Sequence, residues 1–538
     1  ISDEEISKLR RGGHDPEKVY AAYRAAADHK GQPTVILAKT VKGYGLGEAG
    51  EGKNITHQQK KLNDEELREF RARFGIPIAD EDVGKAPFYR PAEDSPEMVY
   101  LRERRAALGG FVPERRVRPP QVEMPDDRTF VEFNSGSSDR EVSTTGVVVR
   151  ILSNLLKDPA IGRYVVPIVP DEARTFGMES LFRQVGIYSH VGQTYEPVDK
   201  ETLLFYKEAT DGQILEEGIT EAGSMSSFIA AGTAYAAHGV PTIPFFIYYS
   251  MFGFQRIGDL VWAAGDMRCR GFLIGGTAGR TTLNGEGLQH QDGHSHLLAH
   301  TNPRVVSYDP SFAYELGVIV RDGIRRMAGD GEDVMFYLTV GNEPYAQPAM
   351  PDGAEDGILR GLYPFRKGSK KKAAARVALL GSGALTPAAL QAQETLENDY
   401  GVAADVWVAT SYQQLHREAL DCERATRLAP KAKARKPYVT RCLEDAGDAV
   451  VATSDNLKAL PYLIAPWVPQ GMTALGTDGF GRSETREALR DFFEVDHRYV
   501  TVAALERLAR AGKIDRKVVV KAAKDLDIDA GKPDPTRT

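Results

Sequence analysis

Cysteine is scarce: Cys269, Cys422 and Cys442 are the only three among 538 residues, and no two form a CxxC pair. One thiol is left over even if the other two join. A disulfide framework and a cysteine zinc site are therefore not expected, and a reducing, cytoplasmic setting is. No charge sign dominates. With 68 basic against 75 acidic side chains, a net of −7, the chain lacks the basic excess of a nucleic-acid clamp. Long apolar runs are missing too. The longest, 240–254, is broken by Pro241, Thr242 and Pro244 and falls short of the roughly 20 residues that cross a bilayer. The opening residues do not read as a signal peptide, and no internal repeat or long low-complexity segment stands out.

What is present is 42% apolar residues, enough for full-sized cores. At roughly 150 residues per domain the length suggests three or four units. The first ninety residues hold too little for a whole domain. Helical periodicity marks 15–29, with Pro16 in the first turn, and 63–74, with Asn63 as N-cap and Glu66 three residues on. TVILAK at 34–39 reads as a buried strand. The Pro- and Arg-rich stretch 87–125 lacks periodicity and reads as a linker. From about residue 128 strands and helices alternate. Strands are expected at 164–169, 243–249, 272–274, 304–308 and 334–339, with helices at 146–156 and 214–238. After a basic hinge at 367–372 a third unit begins with a strand at 376–380, a helix at 387–400 and a strand at 404–410, and the chain closes on helices at 503–510 and 515–526. Apolar strands alternating with helices mean an α/β fold with parallel sheets covered on both faces.

Several motifs have two readings. Gly45-x-Gly47-x-x-Gly50 follows the expected strand, but Glu48, Glu51, Lys53 and Asn54 surround or follow the glycines where an apolar helix should open. A mobile loop is expected instead. Gly381-Ser382-Gly383 joins a strand to a helix and is either a tight turn or an anion cradle. Gly329-Asp330-Gly331 resembles the start of a metal–diphosphate motif, yet no asparagine lies 25–30 residues on, so it reads as a turn. His290, His294 and His296, with Glu286 and Asp292 nearby, fit three roles: zinc ligands, backbone-capping loop histidines, or the lining of a polar site. Glu221, ahead of a run of Ala, Gly and Ser, is either a helix-start charge or a buried acid with a task. Asp171 and Glu172 end a strand, where ligands bind in open α/β sheets, or cap a helix. The aromatics of 245–254 are mostly core, with one or two able to present a flat face to a heteroaromatic ring.

Together the strings TVILAKTVKGYGLG, EGKNITHQ, PDEARTFGMESLFRQVGIYS, IYYSMFGFQRIGDLVWAAGD, RGFLIGGTAGRTTLNGEGLQHQDGHSH, LGTDGFGRS and FFEVD resemble the homodimeric-type E1 component of bacterial pyruvate dehydrogenase complexes, a thiamin diphosphate family of the transketolase-like superfamily. The resemblance runs nearly end to end and implies the transketolase-like thiamin diphosphate-binding fold. It implies that 1–95 is the last part of a diphosphate-binding domain, 96–127 a linker, 128–366 a pyrimidine-binding domain and 367–538 a C-terminal α/β domain. The implied activity is oxidative decarboxylation of pyruvate with acetylation of the lipoyl group of the E2 acyltransferase, in a cytoplasmic homodimer that binds neither nucleic acid nor membrane. Thiamin diphosphate and Mg²⁺ are the implied cofactors, with the metal ligands outside this chain. By resemblance Glu221 shares a proton with the aminopyrimidine, Phe252 and Tyr249 face that ring, and Asp171 and Glu172 flank the cofactor. His290 lies on the substrate side, Lys42 near the substrate, and His57 on a loop that serves acyl transfer. Transketolase or another 2-oxo acid E1 is the alternative within the class. Outside it stand a zinc hydrolase using His290, His294 and His296, and a non-catalytic E2-docking scaffold.

Overall fold

The computed structural model describes residues 2–8, 12–58, 61–110, 121–170, 173–198, 206–370 and 373–538. The chain divides into two compact units, Ile1–Val112 and Pro113–Thr538.

The first unit is helical. The helix Pro16–Asp28 is capped by Asp15, and Asp64–Arg73 opens on a capping box between Asn63 and Glu66. Neither buries a side chain. The expected strand at 34–39 forms no ladder with any described residue, and Val35 and Leu37 are exposed. A strand needs a neighbour to satisfy its backbone, and TVILAK has the composition of one without the partner. The expected linker is partly helical: Ser95 caps Pro96–Ala107, whose proline sits in the first turn. That helix, like the two before it, buries nothing. Residues 111–120 lie outside the described residues.

Among the described residues the second unit contains two large sheets and two short two-stranded ones, Glu141–Val142 with Tyr345–Ala346 and Ile187–Tyr188 with Glu208–Ala209. The larger is six-stranded and wholly parallel, in the order Leu215–Glu216, Val165–Val169, Ile243–Tyr249, Gly271–Gly276, Met335–Thr339, Val305–Tyr308. Its strand residues alternate between two cores. Phe245, Ile247, Phe272 and Ile274 face one, with Leu152 and Leu155 of the helix Thr144–Lys157 and Leu316 and Ile319 of Ala313–Ile324. Phe246, Tyr248 and Leu273 face the other, with Phe228 of the helix Glu221–Ala237 and Ile257 and Val261 of Phe254–Asp266. The small residues of Glu221–Ala237 permit close packing. A Cβ on Gly232 would lie 2.2 Å from Cys269 Sγ and 2.4 Å from the Arg270 carbonyl oxygen, so this crossing admits only glycine.

The second sheet has five strands in the order Tyr363–Arg366, Ala403–Val408, Arg376–Gly381, Ala449–Thr453, Met472–Leu475. The first is antiparallel to its neighbour and the rest are parallel. Helices Thr386–Asp399 and His497–Arg510 lie on it, Leu396 and Leu505 sharing a core with Val377, Leu379 and Val451. Gly381-Ser382-Gly383 joins its central strand to Thr386–Asp399. The Asp309 carboxylate lies against it, its oxygens 2.7 Å from where a Gly383 Cβ would be, and the Gly383 amide donates to the Asp309 backbone carbonyl at 3.2 Å. The loop is a tight turn. Asp330 pairs with Arg325, so Gly329-Asp330-Gly331 is likewise a turn. No helix among the described residues is long and apolar enough to cross a membrane.

Candidate active site

Ligands of open parallel sheets bind at the carboxyl ends of the strands, and four of the eight sequence-derived candidates, Glu221, Tyr249, Phe252 and His290, gather there. The helix expected over 214–238 begins only at Glu221, because Leu215–Glu216 is an edge strand and the Thr220 side chain accepts the Gly223 amide as N-cap. Glu221 is thus both of the things its sequence allowed: the first helical residue and a buried acid, 9% exposed. Its carboxylate does not face an apolar wall. Arg256 Nη1 donates to both oxygens, at 3.1 and 3.2 Å.

Strand Ile243–Tyr249 ends in a 3₁₀ turn, Ser250–Phe252, that sets Tyr249 and Phe252 side by side with ring centroids 5.9 Å apart. His290 completes the group, 4.7 Å from Tyr249 and 5.2 Å from Phe252. The Arg256 guanidinium lies over the Phe252 ring at 3.8 Å. Sequence reading missed Arg256, although it stands four residues after Phe252 within GFQRIGDL. A planar, nitrogen-bearing group therefore stacks on Phe252 while donating to a buried carboxylate. An aminopyrimidine stacked on Phe252 fits the same place with the hydrogen bond reversed, its ring nitrogen accepting from a protonated Glu221.

The ring nitrogens can be assigned from their partners. His290 Nδ1 lies 3.0 Å from the Glu286 carbonyl oxygen, which can only accept. Nδ1 therefore carries the proton, and Nε2 has the free lone pair. His294 Nε2 meets Gln255 Oε1 at 2.7 Å. His296 is buried, with Nε2 2.8 Å from Thr339 Oγ1, whose hydroxyl donates to Asp309 Oδ1 at 2.7 Å. Burial holds the His296 ring well below the usual imidazole range, at about 4, and pushes Asp309 up to about 6. The three histidines point to three different partners, and no group of three or more His, Cys, Asp or Glu among the described residues converges as a metal centre. The zinc reading loses its ligand set. Asp292, fully buried, stays ionised. Burial raises its carboxyl, but the Ser250 hydroxyl and the His294 amide outweigh that and lower it.

Within the 1–112 unit, Lys42 Nζ lies 3.1 Å from His57 Nδ1. An ammonium only donates, so Nδ1 accepts and His57 carries its ring proton on Nε2. The glycine motif here is not a phosphate cradle. Glu51 Oε2 accepts the Gly45 amide at 3.2 Å and pairs with Arg73 at 2.7 Å. Asp171 and Glu172 lie outside the described residues.

Residues 121–348 match the family described as the pyruvate dehydrogenase E1 component middle domain, and 361–496 match the transketolase-like C-terminal domain. The chain is 58% identical to the pyruvate dehydrogenase E1 component of Pseudomonas aeruginosa, over 99% of this chain and 60% of that protein. It is 51% identical to the E1 component of Escherichia coli, again over 99% of this chain and 60% of that protein. It therefore spans about three-fifths of the length of these relatives. In fold it is similar to a transketolase from Leishmania mexicana, with TM-score 0.62 and 16% identity over 93% of this chain and 66% of that one. With both domains matched and half or more of its residues shared with these E1 components, the chain belongs to the bacterial pyruvate dehydrogenase E1 component family.

Proposed function

We propose that the protein containing these residues decarboxylates pyruvate and passes the acetyl group to the lipoyl group of an E2 acyltransferase. We assign it thiamin diphosphate and Mg²⁺ as cofactors, a homodimeric state and a cytoplasmic location. In domain terms, 1–95 closes a diphosphate-binding domain, 96–127 links it to a pyrimidine-binding domain at 128–366, and 367–538 is the C-terminal domain. The observation that carries the reading is the buried Glu221 carboxylate joined to a planar guanidinium that stacks on Phe252, with the Tyr249 and His290 rings alongside.

Glu221, Phe252 and Tyr249 would hold the pyrimidine end of thiamin diphosphate, and Asp171 and Glu172 are assigned beside it. The thiazolium of that cofactor supplies an electron sink for carbon–carbon cleavage next to a ketone. Glu221 holds and returns a proton at the pyrimidine. The lone pair on His290 Nε2 accepts a proton on the substrate side and, once protonated, donates to a developing alkoxide. Overall, the C1–C2 bond of pyruvate breaks to release CO₂. The electron pair reduces the lipoyl disulfide, so that one sulfur takes the acetyl group and the other takes a proton. We assign that last proton transfer to His57 in its imidazolium form.

The test is the full-length protein with thiamin diphosphate, Mg²⁺, pyruvate and a lipoylated E2 domain, read as CO₂ release and acetyl-lipoyl mass. Both should appear together. CO₂-free transfer from a ketose phosphate would make it a transketolase, and E2 binding without turnover would make it a scaffold. In the same assay His290→Ala should lower kcat/KM by about 100-fold. A loss below about 3-fold would remove His290 from proton handling.

A further inference from the structure

The C-terminal domain contributes none of the residues assigned to chemistry, yet besides its contacts to 293–311 it holds both ends of one stretch of the middle domain, 279–291, which leads to and includes His290. At the entry to this stretch stands Asp455, a buried carboxylate following strand Ala449–Thr453 of the five-stranded sheet. It accepts three consecutive backbone amides, from Arg280 at 3.2 Å, Thr281 at 2.9 Å and Thr282 at 3.0 Å, and the Thr282 hydroxyl at 2.6 Å. Gly279 makes the approach possible, because its φ is +94° and a Cβ there would lie 2.2 Å from Asp455 Oδ2. Three successive amides turned onto one carboxylate fix the backbone direction in a way a single hydrogen bond does not.

At the exit stands Gln291, 2% exposed and adjacent to His290. Its Oε1 accepts the Arg482 amide at 2.7 Å from the C-terminal domain, and its Nε2 donates to the Leu283 carbonyl at 3.0 Å across the loop. Arg486 adds a third tie, Nε to the Thr282 carbonyl at 2.7 Å. Between these anchors Gly285 and Gly287 hold positive φ values of 80° and 91°, and Leu288 is exposed. Asn284, Gly285, Leu288 and Gln289 are exposed, so beyond the Tyr249 and Phe252 rings and the Glu286 carbonyl little within the loop sets where the His290 ring stands.

We infer that the C-terminal domain is a clamp on the His290 loop, with Asp455 and Gln291 as positioning residues that set the imidazole against Tyr249 and Phe252. A misplacement of about 1 Å at a reacting group costs on the order of 100-fold in rate, so such a clamp bears directly on turnover. The rate consequence rests on the function proposed above, whereas the position of the ring does not.

The experiment uses the full-length holoenzyme and two variants, Asp455→Asn and Gln291→Ala. Asparagine keeps the size of the side chain but turns an N–H group toward the amides where an oxygen was. Carbethoxylation of His290 by diethyl pyrocarbonate, followed by peptide mass spectrometry, reads the freedom of Nε2 without turnover. A rise of about 10-fold is expected in either variant, with kcat down about 10- to 100-fold. Cofactor affinity should stay within about 3-fold, because Glu221 and Phe252 lie on other segments. A merely structural role would lower the melting temperature and cofactor affinity together and leave no selective change at His290. Unchanged His290 reactivity and kcat in both variants would overturn the clamp. If the wild type does not decarboxylate pyruvate but both variants unmask His290, the clamp stands and the functional reading falls. If Asp455→Asn does not fold, Gln291→Ala with Arg486→Gln decides the matter from the other anchors.

Discussion

Replacing Glu221 with alanine is expected to lower pyruvate turnover about 1000-fold, within the range attributed to a lost general acid–base group, while leaving the protein folded. The fold should survive for local reasons. The Glu221 side chain is 11% exposed, but its partner Arg256 is 51% exposed, so the unpaired guanidinium is not stranded in the interior. The helix still has its Thr220 cap, and losing one acid from the first turn costs about 0.3–1 kcal/mol. The chemistry has no such reserve. Among the described residues assigned to the pyrimidine end, Phe252 and Tyr249 offer ring faces, and Glu221 alone offers a carboxylate.

Two further variants separate proton sharing from charge pairing. Glu221→Gln keeps the size of the side chain and can still receive a hydrogen bond from Arg256, but it cannot hold an exchangeable acid proton, so it should be nearly as slow as alanine. Arg256→Gln removes the ion pair and the stack on Phe252 while leaving the acid, and should cost about 10-fold or less, because half of that side chain already faces solvent. Steady-state decarboxylation of pyruvate with an artificial electron acceptor ranks the three. Equal losses in Glu221→Gln and Arg256→Gln, or an alanine variant within about 10-fold of wild type, would reduce Glu221 to a partner of Arg256.

How far such a site can be read from sequence depends on how local its causes are. Ile243–Tyr249 is seven residues of apolar, β-prone sequence, and it is a strand with the bounds its pattern suggests. Asn63 and Glu66 name a helix start outright. TVILAK has equal local quality and fails, because pairing is a property of the neighbour. Pro96–Ala107 hides in a stretch whose prolines and arginines read as a linker, although Ser95 and Pro96 make an ordinary helix start. Motif strings drew Tyr249, Phe252, Glu221 and His290 together by resemblance, and the sheet brings Tyr249, Phe252 and His290 into ring contact. The residues that hold these groups stayed invisible. Asp455 lies more than 170 positions from the amides it binds, and Gln291 reaches a backbone N–H at Arg482. Backbone amides leave no trace in side-chain identity, so a carboxylate that orders three of them looks like any other aspartate in a loop. The three histidines show the converse: spacing suggested convergence, and the α-helix beginning at Ser295 turned His296 into the interior instead.

The second large effect is one of stability, and it concerns a buried acid that the proposed chemistry does not use. Glu315 lies in the first turn of Ala313–Ile324 and is fully buried. Its Oε2 accepts the amides of Ser311 at 2.6 Å and Phe312 at 3.1 Å, and its Oε1 meets the Tyr363 hydroxyl, which in turn lies 2.6 Å from that of Tyr314. Burial pushes the carboxyl up to about 7, against the hydrogen bonds from Tyr363, Phe312 and Ser311, and the charge of Asp309 adds to the rise. In the unfolded chain the same group ionises near 4.5. Between those values the native state holds a proton that the unfolded state has released. The resulting stability is complete below about 4.5 and is lost as pH rises through about 7. Glutamine mimics the protonated form, since its Nε2 can donate to Tyr363 while its oxygen keeps the two amides. The stability of Glu315→Gln relative to wild type should therefore rise by about 2–3 kcal/mol from pH 5 to pH 8. His296, held near 4 by burial, acts with the opposite sign, because falling pH protonates it in the unfolded chain first. It is common to both proteins and leaves the difference intact. Urea midpoints for the two proteins across that range test the linkage. Parallel profiles would mean that Glu315 is already ionised in the folded protein, its three donors outweighing its burial.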